Sequence, residues 1–248
     1  METFEIYLNS KTASRKMNNE SSDCYFELPV IVSDQLKESA YISVKSACIP
    51  YSWYNINDYN NILDIYCDGD NYSLTIPVGN YNINTLISAI ETVMLPTGLQ
   101  ISLKYMQNVN RVSFTHSSLP FQILASSTCY ESIGFSEGVN YNSVANYIES
   151  VNSINLFNVR QILINSNNFV LNNINSYQNG NASILSSVTV TGNPNSILHY
   201  KNNTSIHKIH HLNNLSNLHI KLTDEIGRPL LLNNINWSLT LEVTIKRI

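Results

Sequence analysis

Trp237, Leu239, Leu241, Val243 and Ile245 alternate without a break with Ser238, Thr240, Glu242 and Thr244. Successive side chains of a strand point to opposite faces, so this segment offers one apolar face to a core and one polar face to water. A slip of one residue would exchange the two faces, so its pairing register is strongly specified. Shorter stretches of the same kind, alternating or rich in β-branched and aromatic residues, lie at 3–8, 24–30, 40–49 and 62–67. Others lie at 151–157, 159–165, 169–171, 184–191, 197–200, 205–212 and 218–222. Clusters of Asn, Ser, Gly and Pro break them at intervals of roughly ten residues, which is the pattern of a sandwich or barrel. The chain is predicted to be mainly β.

The middle of the chain reads differently. Residues 72–76 form a strand pattern, Pro77-Val78-Gly79-Asn80 a turn, and 82–94 a helix, because Ile83, Leu86, Ile87, Ile90, Val93 and Met94 recur at helical spacing. Asn82 or Asn84 caps its start and Pro96-Thr97-Gly98 stops it. Strand patterns at 100–105 and 111–115 flank Asn108-Val109-Asn110 as a hairpin, and 121–124 continues the β pattern. Residues 126–133 read as a second short helix, with Ser126 or Ser127 as cap and Gly134 as stop. This segment is predicted to be a small α+β lobe of residues 68–135, inserted into a β domain made of 1–67 and 136–248. A separate domain on linkers is the alternative, but 54–61 and 137–146 lack the composition of flexible tethers. The Asn-rich stretch 165–181 carries Phe169, Val170, Leu171, Ile174 and Tyr177, which predicts a loop packed on a sheet edge.

Only 13% of the 248 residues are charged, while 43% are hydrophobic. An average soluble protein has about 25% charged residues. The surface is therefore polar but largely neutral, which reduces repulsion between copies. An AT-rich genome would explain the excess of Asn but not the shortage of Lys. With a net charge of −4, the chain has no basic footprint for a phosphate backbone, and no direct nucleic-acid partner is expected. The small basic groups Lys11, Arg15, Lys16 and Lys246, Arg247 read as solvated termini or a short contacting arm. No apolar run approaches the 18 residues of a membrane span.

Cys24, Cys48, Cys67 and Cys129 are widely spaced, with no CxxC pair, and are expected to be reduced core residues. The opening METFEIYLNS lacks the basic and apolar regions of a secretory signal, which predicts synthesis in a reducing cytosol. His207 and His211 would share a strand face while His210 points away, with His219 further on. No nearby carboxylate completes a metal site and Lys208 would repel a cation, so no metal and no cofactor are expected. Cys129, placed at a helix start, and His116 in the same lobe are the nearest approach to a nucleophile and base. No Gly-x-Ser-x-Gly elbow or Cys-His signature accompanies them, and no enzymatic activity is expected. Asp68-Gly69-Asp70-Asn71 lacks the later Glu of a calcium loop, so it and Asp224-Glu225 read as turns.

The chain has 15 Tyr against 7 Phe. Tyr51, Trp53, Tyr54 and Tyr59 lie together between two strand patterns and are the candidate interface residues, since aromatic rings bury large areas at low rotamer cost. Local loop packing explains them equally well, and a carbohydrate-binding platform would use the same rings.

Several segments, in order, resemble the single jelly-roll penton (minor capsid) family of virophages and polinton-like viruses. These are Ile49-Pro50-Tyr51-Ser52-Trp53-Tyr54-Asn55-Ile56, Tyr72-Ser73-Leu74-Thr75-Ile76-Pro77-Val78-Gly79-Asn80-Tyr81 before a helix, and Ser132-Ile133-Gly134-Phe135. The last runs from Asp224-Glu225-Ile226-Gly227-Arg228-Pro229 through Leu230-Leu231-Leu232 to Trp237. The resemblance implies a jelly roll of two four-stranded antiparallel sheets in Greek-key order. It also implies a homopentamer that closes the five-fold vertices of an icosahedral virion, contacts the major capsid protein and is made in the host cytoplasm. Another minor capsid, cement or spike-base protein of the same fold, or a jelly-roll glycan-binding module, remains the alternative. The length leaves no room for a large projecting receptor-binding domain.

Overall fold

The computed structural model describes residues 2–29, 39–169, 173–175, 180–202, 206–209 and 216–246. The chain forms two compact units, Met1–Trp53 with Val159–Ile248, and Tyr54–Asn158. The first unit begins with β1 (Glu2–Asn9), β2 (Arg15–Lys16), β3 (Asp23–Glu27) and β4 (Ser39–Pro50). The second contains β5 (Ile62–Cys67), β6 (Asp70–Thr75), α1 (Ile83–Met94), β7 (Ile101–Met106), β8 (Arg111–His116), β9 (Phe121–Ile123), β10 (Tyr141–Asn142) and β11 (Tyr147–Glu149). The chain then returns to the first unit with β12 (Gln161–Asn165), β13 (Asn173–Asn175), β14 (Gly180–Ala182), β15 (Ile184–Thr189), β16 (Ile197–Lys201), β17 (His207–Ile209), β18 (Asn217–Thr223) and β19 (Ser238–Lys246).

In the first unit the principal strands pair from the outside inward. β1 pairs with β19, β3 with β18, β4 with β16 and β17, and β12 with β15, all antiparallel. One sheet has the order β1-β19-β4-β16, with β17 beside the other end of β4, and the facing sheet has the order β15-β12-β18-β3-β2. A chain laid out as one long antiparallel ribbon and wrapped over two layers is a jelly roll. Residues two apart on each strand meet between the layers. Ile6, Leu8, Leu239, Leu241 and Val243 of one sheet join Cys24, Phe26, Ile162, Ile164, Ile220 and Leu222 of the other in one buried core.

The register slips once on β4, where Thr240 faces Ser46 but Leu241 faces Val44. Lys45 is the extra residue of this bulge. The slip reconciles buried Ala40, Ile42 and Val44 with buried Ala47 and Ile49, which belong to opposite alternations along the strand. On the outer face, Glu5 and Glu242 stand directly opposite each other, a repulsive cross-strand pair. Lys45 reaches both, contacting Glu5 directly and Glu242 at 3.7 Å, and the two carboxylates hold its ammonium pKa above the usual value.

The second unit differs from expectation at its boundaries and in one helix. The expected limits 68 and 135 fall inside it. β5 belongs with β6, joined by the tight turn at Asp68 (φ 52) and Gly69 (φ 89), and β9 pairs on its other side. At the far end, β11 extends the β7-β8 sheet through β8. The helix α1 forms as expected. The Asn82 carboxamide accepts from Thr85 N while Thr85 Oγ1 receives the Asn82 N–H, and Leu86, Ile90 and Met94 are buried. Residues 126–133 contain only the 3₁₀ turn Glu131–Ile133, which ends at left-handed Gly134. The expected strand at 151–157 is irregular chain, pinned by Asn152 N to Gly134 O and Ile154 N to Asn110 O. In the Asn-rich stretch, Phe169 is buried and β13 pairs with β14, while 170–172 and 176–179 lie outside the described residues.

Candidate interaction surfaces

The four aromatic candidates are divided between the two units. Trp53 is 2% exposed and belongs to the jelly-roll core, with the Tyr51 ring stacked on it at 4.2 Å between centroids and 20° between planes. Two backbone bonds and one side-chain bond hold this segment. Tyr51 N donates to Ser196 O, Asn195 N to Tyr51 O, and the Ser52 hydroxyl to Leu232 O. Trp53 is therefore a packing residue and presents no open ring face to a sugar. Tyr51 is half-buried, and desolvation raises its phenol pKa. It lines a groove of about 450 Å³ with Asn9, Pro50, Ser196, Ile197 and Trp237.

Tyr54 and Tyr59 lie in the second unit and are partly exposed, at 36% and 44%. Their loop is built by asparagine side chains. Asn57 Oδ1 accepts from Tyr59 N, Asn60 Oδ1 from Asn57 N, and Asn55 Oδ1 from Tyr81 N, while Asn60 Nδ2 donates to Asn55 O. Asparagine carries both a donor and an acceptor on a short side chain, so it closes turns on its own backbone. Part of the Asn excess thus does structural work at this loop, whatever the genome composition contributes.

The histidines scatter. His207 Nε2 lies 2.8 Å from Leu185 O, and His210 and His211 lie outside the described residues. His219 is buried on the outer side of β18, its Nε2 2.8 Å from Asp23 Oδ1 and its ring 4.5 Å from that of Tyr25. Among the described residues no three His, Cys, Asp or Glu side chains converge as metal ligands.

Asp224 and Glu225 serve backbone groups. Asp224 Oδ1 accepts from Ile226 N and Arg228 N, its Oδ2 from Arg228 Nε at 2.6 Å, and Glu225 Oε1 from Arg160 N and Gln161 N at the start of β12. Turn chemistry accounts for both acids, as it does for the Asp68-Gly69 hairpin.

Cys129 departs from its expected position at a helix start. It is fully buried, and desolvation pushes its thiol pKa up from 9.0 to about 12. His116 Nδ1 accepts from Ser118 N and Leu119 N instead of meeting a thiol. Because the native state keeps the proton that the unfolded chain releases, stability is intact below pH 9 and falls between about pH 9 and 12. The urea midpoint of the wild type is expected to drop steeply across that window, and Cys129→Ala to flatten the drop. Equal slopes in the two proteins would refute the assignment.

All four cysteines are free. Cys24 and Cys67 are buried as well, with thiol pKa values raised by desolvation, Cys24 to about 11. Cys48 is the exception to the expected core set, being only partly buried. No helix among the described residues is long and apolar enough to cross a membrane.

No protein-family profile matches the sequence, and no curated protein does. Among solved structures, the chain is similar to the mavirus penton protein at 12% identity and a TM-score of 0.50, over 99% of this chain and 100% of that one. A chain of the Sputnik virophage structure is similar at 13% identity and a TM-score of 0.45, over 98% of each. The fold of this chain is thus similar to that of the mavirus penton protein over nearly the whole of both chains.

Proposed function

We propose that this chain is a structural, non-enzymatic virion protein that assembles as a homopentamer and closes the five-fold vertices of an icosahedral shell. The observation that carries this reading is the coextensive match to the mavirus penton protein, which includes the jelly roll and the inserted unit and leaves neither chain with a large unmatched part. A five-fold ring uses a heterologous interface whose rotation closes after five copies. A surface with few charges suits such repeated contact, and only 13% of the residues are charged. The major capsid protein of the same shell is the second partner, and the groove at Tyr51 together with the partly exposed Tyr54 and Tyr59 are candidate contacts.

The test is the solution mass of the purified protein across a wide concentration range, by light scattering and native mass spectrometry. A discrete pentamer is the expected species. A strict monomer at every concentration that also fails to add to shells of its major capsid protein would sink the proposal.

A further inference from the structure

The one partly exposed thiol has a base beside it. Cys48 on β4 and His199 on β16 are directly paired across the sheet, and Sγ lies 3.4 Å from the imidazole Nδ1. His199 is exposed and Cys48 partly so. Both line a cavity of about 340 Å³ with Lys45, Ser46 and Lys201. On the other side of Cys48 lies the groove of about 450 Å³ bounded by Pro50, Tyr51 and Ser238. Cys48 thus lines two surface depressions, whereas Cys24, Cys67 and Cys129 are 2% exposed or less.

From this geometry we infer that Cys48 and His199 form a thiol-modification site that exchanges with low-molecular-weight disulfides to give a reversible mixed disulfide on the sheet's outer face. The thiol passes its proton to His199 Nδ1, and the thiolate attacks one sulfur of the small disulfide. A new S–S bond forms at Cys48 as the original one breaks. The departing thiolate takes the proton back from the imidazolium, so Cys48 is oxidised, half of the small molecule is reduced to a thiol, and His199 is regenerated. Lys201 adds positive charge on the approach and favours a small disulfide that carries carboxylates. Lys45, at the same cavity, is already engaged by Glu5 and Glu242.

The inference does not depend on pentamer formation, and it is tested on the intact purified chain with oxidised glutathione near neutral pH. One glutathionyl group per chain is expected, mapped to Cys48 by peptide mass spectrometry, removed by dithiothreitol and absent in Cys48→Ser. His199→Gln is expected to slow the reaction by about tenfold or more and to abolish the lower inflection of its rate against pH, since glutamine accepts no proton. Urea-unfolded chain, in which all four thiols react, gives the reference rate without the fold. Adducts spread over several cysteines of the native protein, no native adduct where unfolded chain reacts, or an unchanged rate and pH profile in His199→Gln would each overturn the site.

Discussion

Trp237→Ala will destabilise the jelly roll by about 3–5 kcal/mol, the usual cost of emptying a large buried aromatic site. The ring is 2% exposed and meets the Phe26 ring edge-on at 6.0 Å. Its Nε1 donates to Ser21 O, so truncation also leaves a buried carbonyl without its donor. The backbone at this residue is held equally firmly, with Trp237 N donating to Ser10 Oγ and Ser10 N to Trp237 O. One residue thus ties the entry of the last strand to both ends of the 10–21 segment. Urea denaturation measures the effect, and Trp237→Phe, which refills most of the site, should recover part of the loss. A change below about 1 kcal/mol in Trp237→Ala would show that the ring is not a core anchor.

The second large effect belongs to the inserted unit. Gly134 stops the Glu131–Ile133 turn at φ +81, and a Cβ there would lie 2.7 Å from Ser150 Oγ and closer still to the backbone oxygen of Asn152. A backbone atom cannot be moved aside by a rotamer change. Asn152 is moreover bound to Gly134 through its own N–H, so relief of the clash would break that bond. Gly134→Ala should therefore cost about 3 kcal/mol or more, combining backbone strain with overpacking. Gly69→Ala is the matched comparison, because Gly69 has φ +89 and open space around its Cβ position. Its cost should be only the left-handed strain of about 1–2 kcal/mol. Equal urea midpoints for the two variants would remove the clash from the explanation. The contrast also gives a physical reason for the Ser-Ile-Gly-Phe segment that carried part of the family resemblance.

Most strands were legible because alternation is written into neighbouring residues. The last strand shows in its own alternation, and the β5–β6 and β7–β8 hairpins and the helix with its Asn82 cap depend on contacts close in sequence. Where the reading failed, local patterns had more than one outcome. Residues 126–133 have helix-like punctuation but spend their backbone groups on other segments, with Thr128 N and Cys129 N both donating to Ile62 O. Residues 151–157 have strand-like composition, yet the N–H groups of Asn152, Ile154 and Asn155 go to Gly134, Asn110 and Glu131, in two separate segments of the chain.

The candidate surface shows the same division. Tyr51, Trp53, Tyr54 and Tyr59 were evident as an aromatic group, but the segment that carries the buried Trp53 is fastened through Ser52 and Tyr51 to Leu232 and Ser196, far away in the chain. Cys48 and His199 are 151 residues apart, and no spacing rule links them. Alternation along the chain by itself determined that this protein is mainly β with a mixed α+β stretch in its middle, because strand and helix periodicities are set by steric rules acting over a few residues. Only the tertiary structure decided which strand meets which, where the insertion begins and ends, and which thiol stands beside an imidazole. Those outcomes follow from long-range pairing and shared burial, and a single segment carries no record of its distant partner.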